Sequence, residues 1–486
     1  MEVIYRMSLK ATAPDTFRED IPLNQAGLKT PKWYKCHDDS LSGSKFVNVA
    51  FGTLTVVITA ALLIQIYYGD YQVVPHGSVA SDSLECSRAG TKILKEGGNA
   101  VDAAIACTLC LAVVTPHVTG LDAEGQMMIY NHRDRLPPTV INFSVSNTPT
   151  LKLPFLVSGL AYIHRQRGTL PWHDLVKPAA DLAKNGYVVS KMLVQAVNKA
   201  NAQHRYGRLE PGQLLSHQVL ADTLATIANI TKEDLYTNYI DSANEPVGSP
   251  AIKSTFYGYN IYVPGVETVG PALLDNLKEI EKYNFTDAAG APVPQRFHAL
   301  VDATLGTYKK FNLSTSFHQG TGSNVAVMDS DENYVSLVTG MYDLFGDKEQ
   351  NEFVYVQDVK ERPRPCSRIA LIVTDNNFIC GRRIVLGADN VAMATQLLAN
   401  LVIGGQNVTE AIESARFHVM TDGTIGVEVA RSPTFSESTV RYFEEITGNK
   451  VVAIDEPYNS SNSVEKWKDD LVSHSDSRGG GIASRF

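Results

Sequence analysis

The sequence predicts an α+β fold, with helices and β-hairpins packed in layers behind one membrane-spanning helix. The first observation is an uncharged apolar run over residues 46–68, which is long enough to cross a bilayer. The second is a helix without a polar side that begins at Asn99, as expected inside a large core. The third is a pair of hairpin patterns, at 324–338 and 369–386, that lie between helical segments. Helices, then hairpins, then helices favour layered packing.

Size and charge narrow the class of protein. The chain has 486 residues, 44% of them apolar, which suffices for one or two globular domains with a substantial core. Its formal charge of -9 argues against a nucleic-acid partner. Neither G-x-S-x-G nor H-E-x-x-H occurs, and the twelve histidines show no metal-ligand spacing. We therefore expect no cofactor and no metal, and we interpret His117 and His474 as structural.

The apolar run over 46–68 is interpreted as a transmembrane signal-anchor helix. Asp70 follows it, whereas several lysines precede it. By the positive-inside rule, residues 1–45 form a cytosolic tail and the rest lies outside, as in a single-pass type II protein of the secretory pathway or plasma membrane. A buried core helix is the alternative; a cleaved signal peptide fits less well, because the run begins far from the N-terminus. The preceding lysines are Lys29, Lys32, Lys35 and Lys45.

Six N-glycosylation sequons follow the apolar run and support this orientation. Because most of the chain follows the run as well, any single sequon has little weight. The predicted glycan sites are Asn142, Asn229, Asn284, Asn312, Asn407 and Asn459.

The segment around Gly97-Gly98 organises the part of the chain beyond the apolar run. The two glycines end a predicted helix over 83–96, and Asn99 caps the next helix, with Asp102 in its first turn. The run Gly97-Gly98-Asn99-Ala100-Val101-Asp102-Ala103-Ala104-Ile105-Ala106 resembles a nearly identical block in the large chain of the gamma-glutamyltranspeptidases, or glutathione hydrolases. The end of the sequence, Ser475-Asp476-Ser477-Arg478-Gly479-Gly480-Gly481, resembles the S-D-P-R-x-G-G ending of that family. The resemblance covers roughly residues 74–486.

Two cysteines in these helices are predicted to form a disulfide. Cys86 lies eleven residues before the glycine turn and Cys110 twelve residues after it, so their thiols come level across an antiparallel helix pair. The family has a cysteine pair in the same two helices. Cys107 and Cys110 also match C-x-x-C, but an apolar helix suits a buried structural cysteine better than a redox or metal site. Pairing of Cys366 with Cys380 stays open.

Further helices and strands follow from periodicity and breakers. Helices are predicted from Trp172 to the Asn185-Gly186 turn and at 190–202, 216–228, 271–283, 391–404 and 408–415. The first hairpin joins Asn324–Met328 to Tyr334–Val338, and the second joins Ile369–Val373 to Phe378–Leu386. The resemblance implies that these elements form the four-layer αββα sandwich of N-terminal nucleophile hydrolases.

Family members cut themselves before a threonine, whose freed amine serves as base for its own attacking hydroxyl. The resemblance therefore divides the ectodomain into a large-chain-like part, 69–321, and a small-chain-like part, 322–486. Counted back without gaps from Phe345-Gly346, the nucleophile falls on Gly322 and the histidine of the family's G-T-x-H motif falls on Asn324. Glycine has no hydroxyl. A one-residue slip makes Thr321 the candidate nucleophile, which needs a bulge, and Ser323 is a weaker candidate.

Other positions also depart from the family pattern. Ser144 stands where the family has an arginine that binds the substrate carboxylate, a role that serine cannot fill. The family's serine pair in P-L-S-S-M, which also binds the substrate carboxylate, is aligned with residues 363–367. There, Ser367 or Arg364 is the remaining candidate for this contact. Tyr342 replaces an asparagine that contacts the substrate amine in the family. Residues 356–361 are aligned with a longer acidic lid segment of the family.

The family's two oxyanion glycines in G-A-A-G-G are absent. Close approach of backbone N–H groups to a developing anion favours glycine, whereas this chain has Gly387-Ala388-Asp389-Asn390-Val391. The glycine-rich G-I-G-G-G loop is replaced by Gly120-Leu121-Asp122-Ala123-Glu124-Gly125. Asp389 and nearby arginines predict either a polar pocket of new specificity or a surface charge cluster. These arginines are Arg364, Arg368, Arg382 and Arg383.

The leading functional hypothesis is an uncleaved, membrane-anchored pseudoenzyme with a binding or interaction role. The alternative is an active glutathione hydrolase or gamma-glutamyl transferase that cleaves itself before Thr321. Glutathione or another gamma-glutamyl compound is expected as a ligand only in the active case. The sequence identifies no protein partner.

Overall fold

The structure is a computed structural model that describes residues 40–68, 75–143, 153–235, 248–265, 268–283, 285, 293–313, 321–341, 343–346, 348–349, 355–356, 367–420, 422–430 and 433–486. The chain forms two compact units, Met1–Gln72 and Val73–Phe486. The described part of the first unit is helix α1 (Ser40–Tyr68). Its segment Lys45–Gln65 is long and apolar enough to cross a membrane, and its side chains are exposed, which does not fit the alternative of a buried core helix.

The second unit contains the β-strands. They are β1 (Ser78–Ala80), β2 (Glu124–Asn131), β3 (Thr139–Phe143), β4 (Tyr187–Val188), β5 (Leu214–Leu215), β6 (Gly248–Pro250), β7 (Ile252–Phe256), β8 (Tyr259–Val263), β9 (Gly322–Met328), β10 (Asn333–Gly340), β11 (Lys348–Glu349), β12 (Tyr355–Val356), β13 (Ile369–Asp375), β14 (Arg383–Ala388), β15 (Phe417–Val419), β16 (Ile425–Glu428), β17 (Val451–Ile454), β18 (Ser463–Trp467), β19 (Asp470–His474) and β20 (Ser484–Arg485). The first main sheet has the order β20-β1-β9-β10-β2-β3-β6, and the second has the order β19-β18-β14-β13-β8-β7.

Helices flank the two main sheets. They are α2 (Leu84–Lys95), α3 (Ala100–Val114), α4 (Phe155–Arg167), α5 (Trp172–Asn185), α6 (Lys191–Lys199), α7 (Gln203–Tyr206), α8 (Gln218–Ala228), α9 (Lys232–Asp234), α10 (Gly270–Glu281), α11 (Val293–Lys310), α12 (Val391–Leu398), α13 (Val408–Glu413) and α14 (Glu437–Thr447). A π-helical turn, Ala399–Ile403, extends α12.

Three apolar cores separate four layers. One core packs α2, α3, α4, α5 and α8 on the first sheet. A second, which includes Val338 and Val385, lies between the two sheets. The third packs α10, α11 and α12 on the second sheet. The predicted αββα sandwich is therefore confirmed.

The α2–α3 pair forms as the sequence predicts. Asn99 caps α3 in a capping box with Asp102, whose carboxylate also accepts the backbone N–H groups of Thr169 and Leu170. The predicted disulfide joins Cys86 to Cys110 across the two helices. Every residue of α3 is buried, in agreement with its lack of a polar side.

The first predicted hairpin is confirmed as β9 and β10, and both strands are longer than expected. The second hairpin is confirmed in part, because β14 begins at Arg383 rather than at Phe378. The carboxylate of Asp375 accepts the backbone N–H groups of Asn377 and Phe378. This local hydrogen bonding holds the chain in a turn where the apolar pattern predicts a strand.

The sandwich has two distinct ends. We call the end where Gly322 pairs with Gly340 the site end; there Arg368, just before β13, reaches Glu124. We call the opposite end the turn end, since the hairpin turns β2–β3, β9–β10, β13–β14 and β18–β19 lie there. An ion pair between Arg383 and Glu332 joins the two sheets at the turn end.

Candidate functional site

The candidate site lies at the site end, on the face of β9 that looks toward the second sheet. Gly322, the aligned nucleophile position, is the first residue of β9 and pairs with Gly340 of β10. A Cβ atom on Gly322 would lie 1.8 Å from Oδ1 of Asp389, and a Cβ on Gly340 would lie 2.5 Å from Cζ of Arg368. Two opposed glycines thus leave a space that the Arg368 and Asp389 side chains fill.

Arg368 is the central cation of this site. Its guanidinium donates to Oε1 of Glu124 at 2.9 Å and to the backbone carbonyls of Thr321 and Met341 at 3.2 and 2.5 Å. Its Nε lies 3.7 Å from Oδ1 of Asp389. The side chain is buried, so the guanidinium is fixed by these partners.

Asp389 supplies the facing anion from the turn before α12. Burial raises the pKa of its carboxyl to about 6; the Arg368 guanidinium opposes this rise, whereas Asp82 adds to it. Among the residues that the structure describes, Oδ2 of Asp389 has no hydrogen-bond partner. The next residue, Asn390, caps α12 through the backbone N–H of Met393. The aligned oxyanion segment thus carries a buried carboxyl group.

The structure places Thr321 and Ser323 on the other face of the strand. Side chains alternate along β9. The apolar residues of β9 on the same face as Gly322 belong to the core between the two sheets, whereas Val325 belongs to the core on the helix side. Ser323 lies on the helix side, where its hydroxyl donates to Asp82. By the same alternation, Thr321 lies on that side, away from Asp389. The Thr321 carbonyl accepts from the N–H of Met341, which continues the ladder without a bulge.

Sequence reasoning missed a buried carboxylate, Asp82, beside the site. It accepts hydrogen bonds from Ser323, Ser460 and Asn462, and burial raises its pKa. Asn324, at the aligned histidine position, exchanges hydrogen bonds with Asn462. The available signal was an aspartate close after the short buried strand β1, with only Ser81 between them.

Ser367 is half-buried and directly precedes Arg368. Val356 ends β12. The remaining aligned positions, together with the question of Cys366 and Cys380, lie outside the described residues; they are Ser144, Tyr342, Arg364, Cys366 and 357–361.

The prediction that Arg382 and Arg383 lie near Asp389 is wrong. Arg382 pairs with Glu465 and Arg383 with Glu332, both at the turn end. Since β14 runs from Arg383 to Ala388, its length separates these arginines from Asp389. The cluster is also not a surface feature, because the side chains of Arg368 and Asp389 are only 8% and 11% exposed.

The sequons differ in exposure. Asn229, Asn312 and Asn407 are exposed, Asn142 is half-buried in β3, and Asn284 lies outside the described residues. Asn459 is only 2% exposed, and its carbonyl accepts from Arg416. A glycan needs an exposed side chain, so the prediction for Asn459 is incompatible with this fold.

No group of three or more His, Cys, Asp or Glu side chains suited to a metal ion occurs among the described residues. Burial lowers the pKa of His117 to about 3 and raises that of the Cys107 thiol to about 12, as expected of structural groups. His474 contacts Glu413 at 2.7 Å. Burial opposes ionisation of Glu413, but hydrogen bonds from His474 and Ser477 lower its pKa to about 2.

The raised pKa of Asp389 predicts a pH dependence of stability. Because the folded state binds the Asp389 proton more tightly than the unfolded state does, stability from this group is present at low pH and is lost as pH rises through about 6. From pH 5 to pH 7 this loss is roughly 1 kcal/mol. Asp389→Asn, which cannot ionise, should reduce the loss by that amount. Urea unfolding of both proteins at the two pH values measures it, and equal pH dependence would contradict the assignment.

Comparison with known proteins points to one family. A family model described as Gamma-glutamyltranspeptidase matches residues 86–150 and 149–243. Glutathione hydrolase 7 of Bos taurus is 23% identical over 506 residues, with 79% of this chain and 75% of the relative covered. Glutathione hydrolase 7 of Homo sapiens is 28% identical over 305 residues, with 52% of this chain covered. That alignment spans 45% of the human relative's length.

A solved structure shares the fold. The cephalosporin acylase from Bacillus halodurans superposes with a TM-score of 0.67 at 18% identity, covering 85% of this chain and 96% of the acylase chain. The fold of the second unit is therefore that of the N-terminal nucleophile hydrolases.

Proposed function

We propose that this chain, which belongs to the gamma-glutamyltranspeptidase family as a divergent member, is an uncleaved pseudoenzyme that serves as a membrane-anchored binding or interaction protein. The observation that carries the proposal is the Arg368–Asp389 pair in the space at the aligned nucleophile position. The residue at that position, Gly322, supplies no hydroxyl, and a side chain there would overlap a carboxylate oxygen.

The neighbouring groups also argue against amide hydrolysis. A developing oxyanion needs N–H donors in a water-free site, whereas the aligned oxyanion segment presents the Asp389 carboxyl group. An ionised carboxylate there repels negative charge. Arg368 is the cation of the site, but it is already bound to Glu124 and to two backbone carbonyls. A substrate carboxylate would have to displace these partners.

Membrane attachment is assigned to α1. The apolar segment Lys45–Gln65 supplies the span, and the lysines before it favour a cytosolic N-terminus. The second unit then lies outside the cytosol, where the Cys86–Cys110 disulfide is stable and where exposed Asn229, Asn312 and Asn407 accept glycans.

A hydrolysis assay tests the loss of activity. Purified full-length protein in detergent is incubated with glutathione and with a chromogenic gamma-glutamyl anilide. We expect no turnover above that of Thr321→Ala, because the aligned hydroxyl is absent. Turnover by the native chain that disappears in Thr321→Ala, while Ser323→Ala keeps it, would instead establish the active glutathione hydrolase. Circular dichroism of both variants controls for folding.

A further inference from the structure

The chain leaves β10 through a short segment that is hydrogen-bonded to the turn after α3. We call its described residues, Met341 and Asp343–Gly346, the strap. The N–H of Met341 donates to the carbonyl of Val118 at 3.0 Å, and the N–H of Phe345 donates to the carbonyl of His117 at 3.2 Å. These two hydrogen bonds hold the strap along the turn.

The strap also binds the central cation of the candidate site. The guanidinium of Arg368 donates to the carbonyl of Met341 at 2.5 Å, while the N–H of Met341 also donates to the carbonyl of Thr321 at 3.1 Å. If the strap moves away from the turn, Arg368 loses one of its hydrogen-bond acceptors. The position of the strap and the state of the site are therefore linked.

Phe345 holds the strap in a strained backbone conformation. Its φ is 66°, in the left-handed region, where the Cβ of a bulky residue lies too close to the neighbouring carbonyl oxygen. Its side chain is only 2% exposed, and its ring centroid lies 5.2 Å from that of Tyr206 and 6.1 Å from that of His117. Burial of the ring thus offsets the strain of the backbone.

His117 brings a second unfavourable feature to the same contact. The residue is 3% exposed, and among the described residues no group hydrogen-bonds to its Nδ1. A buried polar atom without a partner destabilises the folded state, because it has lost its hydrogen bonds to water. A strained backbone and an unpartnered imidazole nitrogen therefore meet at one ring contact, which favours local opening of the strap.

No charged side chain in the described part of the chain stabilises a protonated His117. Burial is the only cause that lowers its pKa, to about 3. The titratable side chains of the strap and of α7 are Asp343, His204, Arg205 and Tyr206, and none of them contributes to this shift. The closed contact thus disfavours protonation of His117.

We propose that the contact between Phe345 and His117 is a latch, which opens as the pH falls and releases the strap from Arg368. Opening allows Phe345 to leave the left-handed region and allows water to reach Nδ1 of His117. This inference goes beyond the proposed function, since it does not depend on whether the site is catalytic.

The sign of the pH dependence follows from the two states of His117. An imidazole in water has a pKa near 6.5, whereas burial in the closed latch lowers it to about 3. The open state therefore binds the proton more tightly, and the closed latch loses stability as the pH falls below about 6.5. Between pH 7.5 and pH 5.0, this linkage raises the open fraction roughly 30-fold.

Hydrogen–deuterium exchange of the full-length protein in detergent tests the latch, because amide exchange reports local opening. Exchange of the peptide that covers the strap is measured at pH 7.5 and pH 5.0 by mass spectrometry and corrected for the intrinsic effect of pH on exchange. A peptide from β13 serves as internal reference. His117→Phe keeps a ring against Phe345 but takes no proton. The matched control is His164→Phe, at a buried histidine whose ring lies 5.5 Å from that of Trp172.

We expect the corrected exchange of the strap to be roughly 30-fold faster at pH 5.0 than at pH 7.5, with β13 unchanged. His117→Phe should remove this acceleration, and His164→Phe should keep it. Equal corrected rates at the two pH values in the native chain would overturn the proposal. An equal acceleration of the strap and β13 would also overturn it, because the opening is then global. Full acceleration in His117→Phe would do the same, because another group then binds the proton.

Discussion

Asp476→Ala is expected to lower the free energy of unfolding by about 3–5 kcal/mol, because it leaves buried positive charge without its counter-charge. Asp476 is fully buried and lies 2.7 Å from Arg416 and 3.3 Å from Arg478. Its carboxylate also accepts the backbone N–H of Ser461. Arg478 keeps a second partner, Glu428, whereas Arg416 loses its ion pair.

Urea unfolding of the full-length protein measures this loss. The matched control is Arg441→Ala, which breaks a pair with Glu437 whose two side chains are 70% and 82% exposed. We expect about 0.5 kcal/mol for the control, since exposed pairs contribute little. If the two substitutions lower the free energy of unfolding equally, the buried ion pairs of Asp476 with Arg416 and Arg478 do not hold the chain around Asp476 in place.

Gly322→Ala is expected to lower the free energy of unfolding by about 3 kcal/mol, because its methyl group would overlap Oδ1 of Asp389 at 1.8 Å. In Asp389→Gly the space is free, so the same alanine should cost at least about 1 kcal/mol less in that background. Gly306→Ala in α11 serves as control. Nothing lies within 4 Å of its added Cβ, so this substitution should stabilise the protein by up to about 1 kcal/mol.

Thermal or urea unfolding of the two single variants and the double variant gives this coupling free energy. A coupling near zero would mean that Asp389 does not fill the side-chain space of the aligned nucleophile position.

Several helices and the first hairpin could be predicted from sequence because their signals are local, whereas the helices Phe155–Arg167, Val293–Lys310 and Glu437–Thr447 were not predicted. The Asn99 cap, the glycine turn and the alternation in β9 and β10 depend on neighbours a few residues away, and each gave the right element. The strand predicted from Phe378 was wrong because the Asp375 side chain captures the backbone there. Apolar periodicity does not register a hydrogen bond from side chain to backbone.

For the candidate site, the sequence predicted which catalytic residues of the family are missing, but not which side chains take their place. Alignment to family motifs placed Gly322 and Asp389 at altered positions, but what fills the space depends on pairing between distant strands. The contact of Arg368 with Glu124 joins residues 244 positions apart. The separation of Arg382 and Arg383 from Asp389 likewise follows from the length of β14, and sequence proximity suggested the opposite.

Chain cleavage tests the central claim most directly. Full-length protein from a secretory host is deglycosylated, run on a reducing denaturing gel and examined by N-terminal sequencing of every band. We expect one chain of about the full 53.1 kDa, because Gly322, at the aligned nucleophile position, has no hydroxyl. Two chains, the smaller one beginning at Thr321, would contradict it and would establish a self-processing enzyme.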